Sequence, residues 1–283
     1  RGPQLLNYLR GDRRLESAEL ENGLRPRASR HGDVVHSQVW YLGKPASGEP
    51  EKSYRDFAAA QRDRPEMIYV SANDGMLHGF LARTGVETLA YVPRGVVPNL
   101  HLLADRAYRH RYFVDGSPVT GDANLGGTAA QAQWRTLLVG ALGAGGPGYF
   151  ILDVTSPRPE DFSEGNADSL VVMDKTDGSD PDIGHVFAPP KLEEGNARRS
   201  LQITRTNNQR WAVILGNGYN SANERPVLLI QYLDGDRELK KLVAGANGSA
   251  DGNGLSAPQF LDVTGDGAPD FVYAGDLQGN LWK

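Results

Sequence analysis

Met67-Ile68-Tyr69-Val70-Ser71-Ala72-Asn73-Asp74-Gly75-Met76-Leu77-His78-Gly79-Phe80 decides the fold class. A run of branched and aromatic residues enters Asn-Asp-Gly, and a second apolar run leaves it. Asn/Asp-Gly between such runs is a strong short hairpin signal, because these residues accept the backbone conformations of a tight turn. The shape returns at the far end as Phe271-Val272-Tyr273-Ala274-Gly275-Asp276-Leu277, the turn Gln278-Gly279, and Asn280-Leu281-Trp282. A looser copy runs from Thr136-Leu137-Leu138-Val139-Gly140 through a glycine-rich turn to Gly148-Tyr149-Phe150-Ile151-Leu152-Asp153. Trp211-Ala212-Val213-Ile214-Leu215-Gly216 is a fourth candidate strand. Recurring hairpins of this kind point to an all-β chain built from propeller blades. The copies lie roughly 60–70 residues apart, more than the usual 40–50 per blade. Long insertions account for the excess, at Pro93 to Arg111, Ser156 to Asp182 and Lys191 to Asn208; Leu100 to Arg106 could hold a short helix. An all-β sandwich with loop insertions is the alternative.

The first thirty residues read differently. Leu5-Leu6-Asn7-Tyr8-Leu9 has helical periodicity, and Arg10 to Arg30 is arginine-rich with few large apolar residues. Residues 1–30 therefore read as a connecting segment, and residues 31–283 as the propeller domain. The first strand is expected over Asp33 to Tyr41.

One stretch carries candidate metal chemistry: Asp262-Val263-Thr264-Gly265-Asp266-Gly267-Ala268-Pro269-Asp270. Oxygen side chains stand at its positions 1, 3, 5 and 9, and glycine at position 6. Ca²⁺ is a hard cation that takes six to eight oxygen ligands, and the glycine permits the sharp turn. The expected ligands are Asp262, Thr264, Asp266, the backbone carbonyl of Ala268, and Asp270. Pro258 to Leu261 and Phe271 to Ala274 flank the loop as strands, and Tyr273 stands where an EF-hand places its bidentate Glu. The loop is thus a calcium clip in a β-hairpin and not an EF-hand.

Composition narrows the function. The chain has 283 residues, 34 Gly, 17 Pro, no Cys and a net charge of −5. The negative charge disfavours nucleic acid and anionic membrane as main partners. Without cysteine there are no disulfides, thiolate metal sites or cysteine nucleophiles. No apolar run approaches a membrane span. A calcium loop of modest ligand charge suits a calcium-rich exterior better than the cytosol. The chain opens at Arg1 without a methionine, which is expected of a piece of a longer polypeptide.

Taken in order, several segments resemble the C-terminal domain of the PilY/PilC-type type IV pilus biogenesis proteins and tip adhesins. They are Asn7 to Asp12, Gly32 to Ser37, Ala72 to His78, Tyr112 to Pro118, Gly143 to Gly146 with Gly148 to Phe150, Gly216 to Ser221, and Asp262 to Trp282. The resemblance implies a modified, quinoprotein-like β-propeller. It implies a secreted or outer-surface location at the pilus, with pilin or minor pilin subunits as partners and a host receptor as a further one. It implies that calcium in the loop regulates pilus extension against retraction, twitching motility and surface attachment. The family domain continues past the last hairpin, whereas this chain stops at Lys283. The propeller is therefore expected to be incomplete or truncated at its C-terminus.

Other motifs are weaker. Arg10-Gly11-Asp12 is an integrin-recognition tripeptide, set against the reading of a solvated charge cluster. Gly143 to Gly148 fits G-x-G-x-x-G, but a strand follows where a dinucleotide site requires a helix, so it reads as a hairpin turn. Asp174, Asp177, Asp180 and Asp182 do not follow the calcium-loop spacing and read as a solvated loop. His36 and His78 fall in expected strands and read as structural. No activated nucleophile or nucleophile elbow is present. The reading is a non-catalytic calcium-binding module. A quinone-dependent dehydrogenase on a related propeller, or an extracellular glycan- or host-receptor-binding module, are the alternatives.

Overall fold

The computed structural model describes residues 2–126, 129–193, 196–245 and 252–283. Helix α1 (Gly2–Leu9) precedes β1 (Trp40–Leu42), α2 (Lys52–Ala60), β2 (Met67–Ala72), β3 (Met76–Leu81) and β4 (Glu87–Tyr91). A 3₁₀ helix, Arg94–Ala104, leads to β5 (Val119–Asn124), β6 (Trp134–Ala141), β7 (Tyr149–Asp153), the short α3 (Ala167–Leu170) and β8 (Val171–Asp174). A small ribbon of β9 (Leu192–Glu193) and β10 (Asn196–Ser200) precedes β11 (Ile203–Arg205), β12 (Trp211–Gly216), β13 (Val227–Tyr232) and β14 (Leu239–Val243). The chain ends in β15 (Gln259–Leu261), β16 (Phe271–Gly275) and β17 (Leu281–Trp282). Three four-stranded sheets, β1–β4, β5–β8 and β11–β14, are each ordered as in the sequence, and β15–β17 form a three-stranded fourth. These are the blades of an incomplete propeller, as the hairpin recurrence predicts.

The decisive hairpin forms in the expected register, from Met67 opposite Leu81 to Ala72 opposite Met76. Gly75 closes its turn at φ 93°, in the left-handed region. Neighbouring blades meet through their first strands: β5 touches both β1 and β11. Trp40 Nε1 on β1 donates to Thr120 Oγ1 on β5 at 2.7 Å. A Cβ on Gly121 would stand 3.1 Å from Ile203 of β11, so the first strands pack closely there. All six residues of β12 are buried. Trp211, Val213 and Leu215 join the core shared by the first three blades, while Ala212 and Ile214 join a smaller cluster that reaches Phe260 of the fourth. Side chains alternate between the faces of a strand, so an unbroken apolar run is what a strand with a blade on each side requires.

Several sequence expectations need correction. The strand expected over Asp33 to Tyr41 is only Trp40–Leu42. Upstream backbone groups find other partners: Asp33 O accepts from Asn73 N, His36 N donates to Asp115 Oδ1, and Gln38 N to Ser117 Oγ. His36 therefore lies outside any strand, whereas His78 is buried within β3. The insertion at 156–182 contains the outer strand β8, and that at 191–208 contains β9, β10 and β11. The helix expected at Leu100 to Arg106 is the end of the 3₁₀ helix Arg94–Ala104. The glycines at 143–148 make the turn between β6 and β7.

Of the aspartates at 174–182, Asp177 is exposed as a solvated loop requires, but Asp174 and Asp182 are engaged by neighbouring blades. Asp174 accepts from Tyr91 Oη at 2.7 Å and from Arg94 N at 2.8 Å, tying the second blade to the first. Asp182 is buried and pairs with Arg225 and Lys241 of the third blade. The N-terminal segment folds back on the 3₁₀ helix. Tyr8 Oη lies 3.0 Å from Arg25 O and 3.1 Å from Leu103 O, and the Arg27 guanidinium stacks 3.7 Å from the Tyr8 ring centroid.

Candidate metal centre

The loop 262–270 is the connection of the β15–β16 hairpin. Leu261 pairs opposite Phe271, and Asp270 N donates to Leu261 O at 2.9 Å. The ladder thereby sets the first and last expected ligands, Asp262 and Asp270, on facing strand ends. Gly265 and Gly267 sit at φ 74° and 84°, with open space where a Cβ would be. Glycine is needed there for backbone conformation and not for room.

Backbone amides point into the loop. Asp262 accepts from Gly265 N at 2.7 Å on Oδ1 and from Gly267 N at 2.8 Å on Oδ2. Asp270 Oδ2 accepts from Val263 N at 2.8 Å and Thr264 N at 3.0 Å, and Asp266 Oδ1 accepts from Ala268 N at 2.9 Å. Burial pushes the Asp262 carboxyl up, but the Gly267 and Gly265 amides outweigh it and hold the group below its ordinary value. An ionised carboxylate has about four lone-pair sites, so these bonds leave capacity for a cation. Three carboxylates, one hydroxyl and a backbone carbonyl form an all-oxygen donor set, which suits Ca²⁺ and not a thiolate- or imidazole-seeking metal. The carboxylates are not drawn together around a point: the one trio of His, Asp or Glu donors within 4.8 Å among the described residues lies elsewhere.

The loop is tied to its neighbour. Arg205 Nη2, on β11 of the third blade, donates to Asp266 O at 2.7 Å. Sequence spacing gives no hint of this partner, which arrives from 61 residues away.

The tripeptide Arg10-Gly11-Asp12 ends α1. Arg10 N, Gly11 N and Asp12 N donate to Leu6 O, Tyr8 O and Asn7 O, and Gly11 takes φ 95°. A left-handed glycine after the last helical turn is a common helix stop. The Arg10 side chain pairs with Glu164. The Asp12 carboxylate accepts from Arg14 N and Nε at 2.9 and 3.0 Å. The tripeptide is a folded helix end and not a loop tip.

The sheets and the hairpin loop define an incomplete β-propeller module with a candidate cation loop on its last blade. A family model described as the PilY1 beta-propeller domain matches residues 31–283, and the chain belongs to that family. It is 40% identical over 296 residues to the type IV pilus biogenesis factor PilY1 of Pseudomonas aeruginosa PAO1, covering 100% of this chain and 23% of that protein. It is 40% identical over 301 residues to a PilY1 homolog of Xylella fastidiosa, covering 99% of this chain and 19% of that protein. The crystal structure of the P. aeruginosa PilY1 C-terminal domain aligns with a TM-score of 0.65 at 37% identity, over 86% of this chain and 44% of that one. The chain thus spans 19–23% of the length of these curated relatives.

Proposed function

We propose that this domain is a non-catalytic, calcium-responsive part of a type IV pilus biogenesis factor, acting outside the cell on pilin or minor pilin subunits. The observation that carries the reading is the loop 262–270, an all-oxygen donor set held between two strand ends of the last blade. Membership in the PilY1 propeller family supplies the pilus context. Asp262, Thr264, Asp266, the Ala268 carbonyl and Asp270 would hold the ion. Bound calcium supplies positive charge that relieves the repulsion among the three carboxylates. The residues of this chain then do the rest. Asp262 and Asp270 lock the ends of β15 and β16, and the Asp266 carbonyl passes any shift of the loop to Arg205 and the third blade. A ligand moves such an equilibrium only by its differential affinity for the two states. Pilus extension against retraction, and with it twitching and attachment, would be biased to that extent.

Titration calorimetry with Ca²⁺ tests the reading. The wild-type chain is expected to bind one ion. Asp266→Ala, which removes one of the three carboxylates, is expected to weaken binding by about tenfold or more, since ligand charge count tunes such sites. Indistinguishable isotherms would sink the assignment. Pull-down of minor pilins with and without calcium then tests the partner class, and equal capture in both would remove the regulatory role.

A further inference from the structure

A second cluster lies on the first blade. His31, Asp74 and His78 are the one group among the described residues whose three donor atoms all lie within 4.8 Å of one another. They come from three settings. His78 is in β3 and 3% exposed; Asp74 is in the β2–β3 turn; His31 precedes β1 and is exposed. The His31 ring stands edge-on to His78 with centroids 4.8 Å apart. What brings His31 in is its neighbour: Gly32 N donates to Asp74 Oδ2 at 2.7 Å. A Cβ on Gly32 would fall 2.3 Å from Asp74 N, so this approach requires glycine.

The His78 ring is oriented from behind. Its Nδ1 lies 2.5 Å from Glu87 Oε1, while Nε2 lies 3.1 Å from each Asp74 oxygen. A carboxylate on one ring nitrogen fixes the tautomer so that the other nitrogen's lone pair can meet a metal, the usual arrangement behind a metal-bound histidine. Two imidazoles and a carboxylate suit borderline divalent ions of the zinc class and not Ca²⁺. Three protein ligands leave a fourth position for water or an incoming donor. The cluster opens onto a groove of about 610 Å³ that Met76, Leu89, Tyr91 and Leu100 also line.

We propose that His31, Asp74 and His78 form a zinc-class metal site, with Glu87 as the positioning residue for the His78 ring. The competing arrangement is a buried imidazolium held between two carboxylates. Burial opposes the charge on His78, but the Asp74 and Glu87 hydrogen bonds and charges push the imidazole up to about 9. That arrangement uses Asp74 and Glu87 alone. His31 packs its ring edge-on against His78 and Phe80 in either arrangement, but only the metal site uses its ring nitrogen as a donor.

Co²⁺ is the probe, added to the chain in the presence of excess Ca²⁺. The expected result is a visible ligand-field band that saturates at one equivalent, is displaced by Zn²⁺, and persists in Asp266→Ala. Glu87→Gln should weaken Co²⁺ binding by about 10–100-fold, and His31→Ala should weaken it further. Because His31 is exposed, the variant should keep the wild-type circular dichroism and metal-free melting temperature, and His31→Gln serves as its conservative partner. Absence of the band, or a band that titrates in either His31 variant with the wild-type affinity, overturns the site.

Discussion

Asp122→Ala is expected to destabilise the fold by about 3–5 kcal/mol, the usual loss when one member of a buried charged network is removed. Asp122 is 4% exposed on β5. Its Oδ2 accepts from Tyr54 Oη at 2.8 Å and Ser47 Oγ at 3.0 Å, and its Oδ1 from Thr136 Oγ1 at 2.6 Å. Thr136 Oγ1 in turn accepts from Arg64 Nη1 at 2.6 Å. Burial pushes the Arg64 guanidinium down and the Asp122 charge opposes that. The alanine variant leaves three buried hydroxyls short of an acceptor and a buried cation without its counter-charge. Asp122→Asn keeps the shape and one acceptor oxygen and should lose less. Urea unfolding of both variants against the wild type measures the difference, and a loss under about 1 kcal/mol for alanine, the range of ordinary substitutions, would contradict this account.

Asp182→Ala is expected to cost about 3 kcal/mol by the same reasoning. The Asp182 side chain is 5% exposed. It accepts from Arg225 Nε at 2.8 Å, Asn223 Nδ2 at 2.7 Å and Lys241 Nζ at 3.0 Å. The Arg225 hydrogen bond, against the opposing effect of burial and with help from Asn223 and Lys241, holds the carboxyl far below the carboxylate range. The folded value is below the unfolded one, so the stabilisation is complete above the unfolded value of 3.8 and fades as pH falls through the folded one. Melting temperatures of wild type and Asp182→Asn should differ near neutrality and converge in strong acid. A constant gap down the acid limb would show that the group does not titrate as described.

Much of the fold is legible in the chain because each blade is local. Asn73-Asp74-Gly75, the glycines at 143–148 and the loop 262–270 all mark turns between neighbouring strands, and all form where they are expected. Short outer and inner strands are less visible. Ile203-Thr204-Arg205 and Val171-Val172-Met173-Asp174 are too brief to establish a period of two. Asp33 to Val39 looks like a strand, but the side chains of Asp115 and Ser117, about eighty residues on, take its amides. Asp182 reads as solvated because Arg225 and Lys241 are invisible at a distance. The cation loop is legible as a donor pattern, and its tie to Arg205 is not. The trio His31, Asp74 and His78 is hidden for the same reason: only Asp74 and His78 are near in sequence, and nothing local announces His31.

The sequential order of strands within each sheet has a kinetic consequence. Pairing inside a blade closes short loops, whereas the bonds that join blades close spans of 80 residues for Trp40 with Thr120, 72 for Arg64 with Thr136 and 59 for Lys241 with Asp182. Longer closures cost more chain entropy, so we expect the meanders to form first and the entropy of bringing them together to be paid at the rate-limiting barrier, before the bonds between blades are made. Substitutions at Asp122 and Asp182 should then speed unfolding and leave refolding almost unchanged. Stopped-flow refolding slowed in proportion to the lost stability would reverse that order. On this view each sheet is a separate early product of the chain, and the arc they share is assembled last.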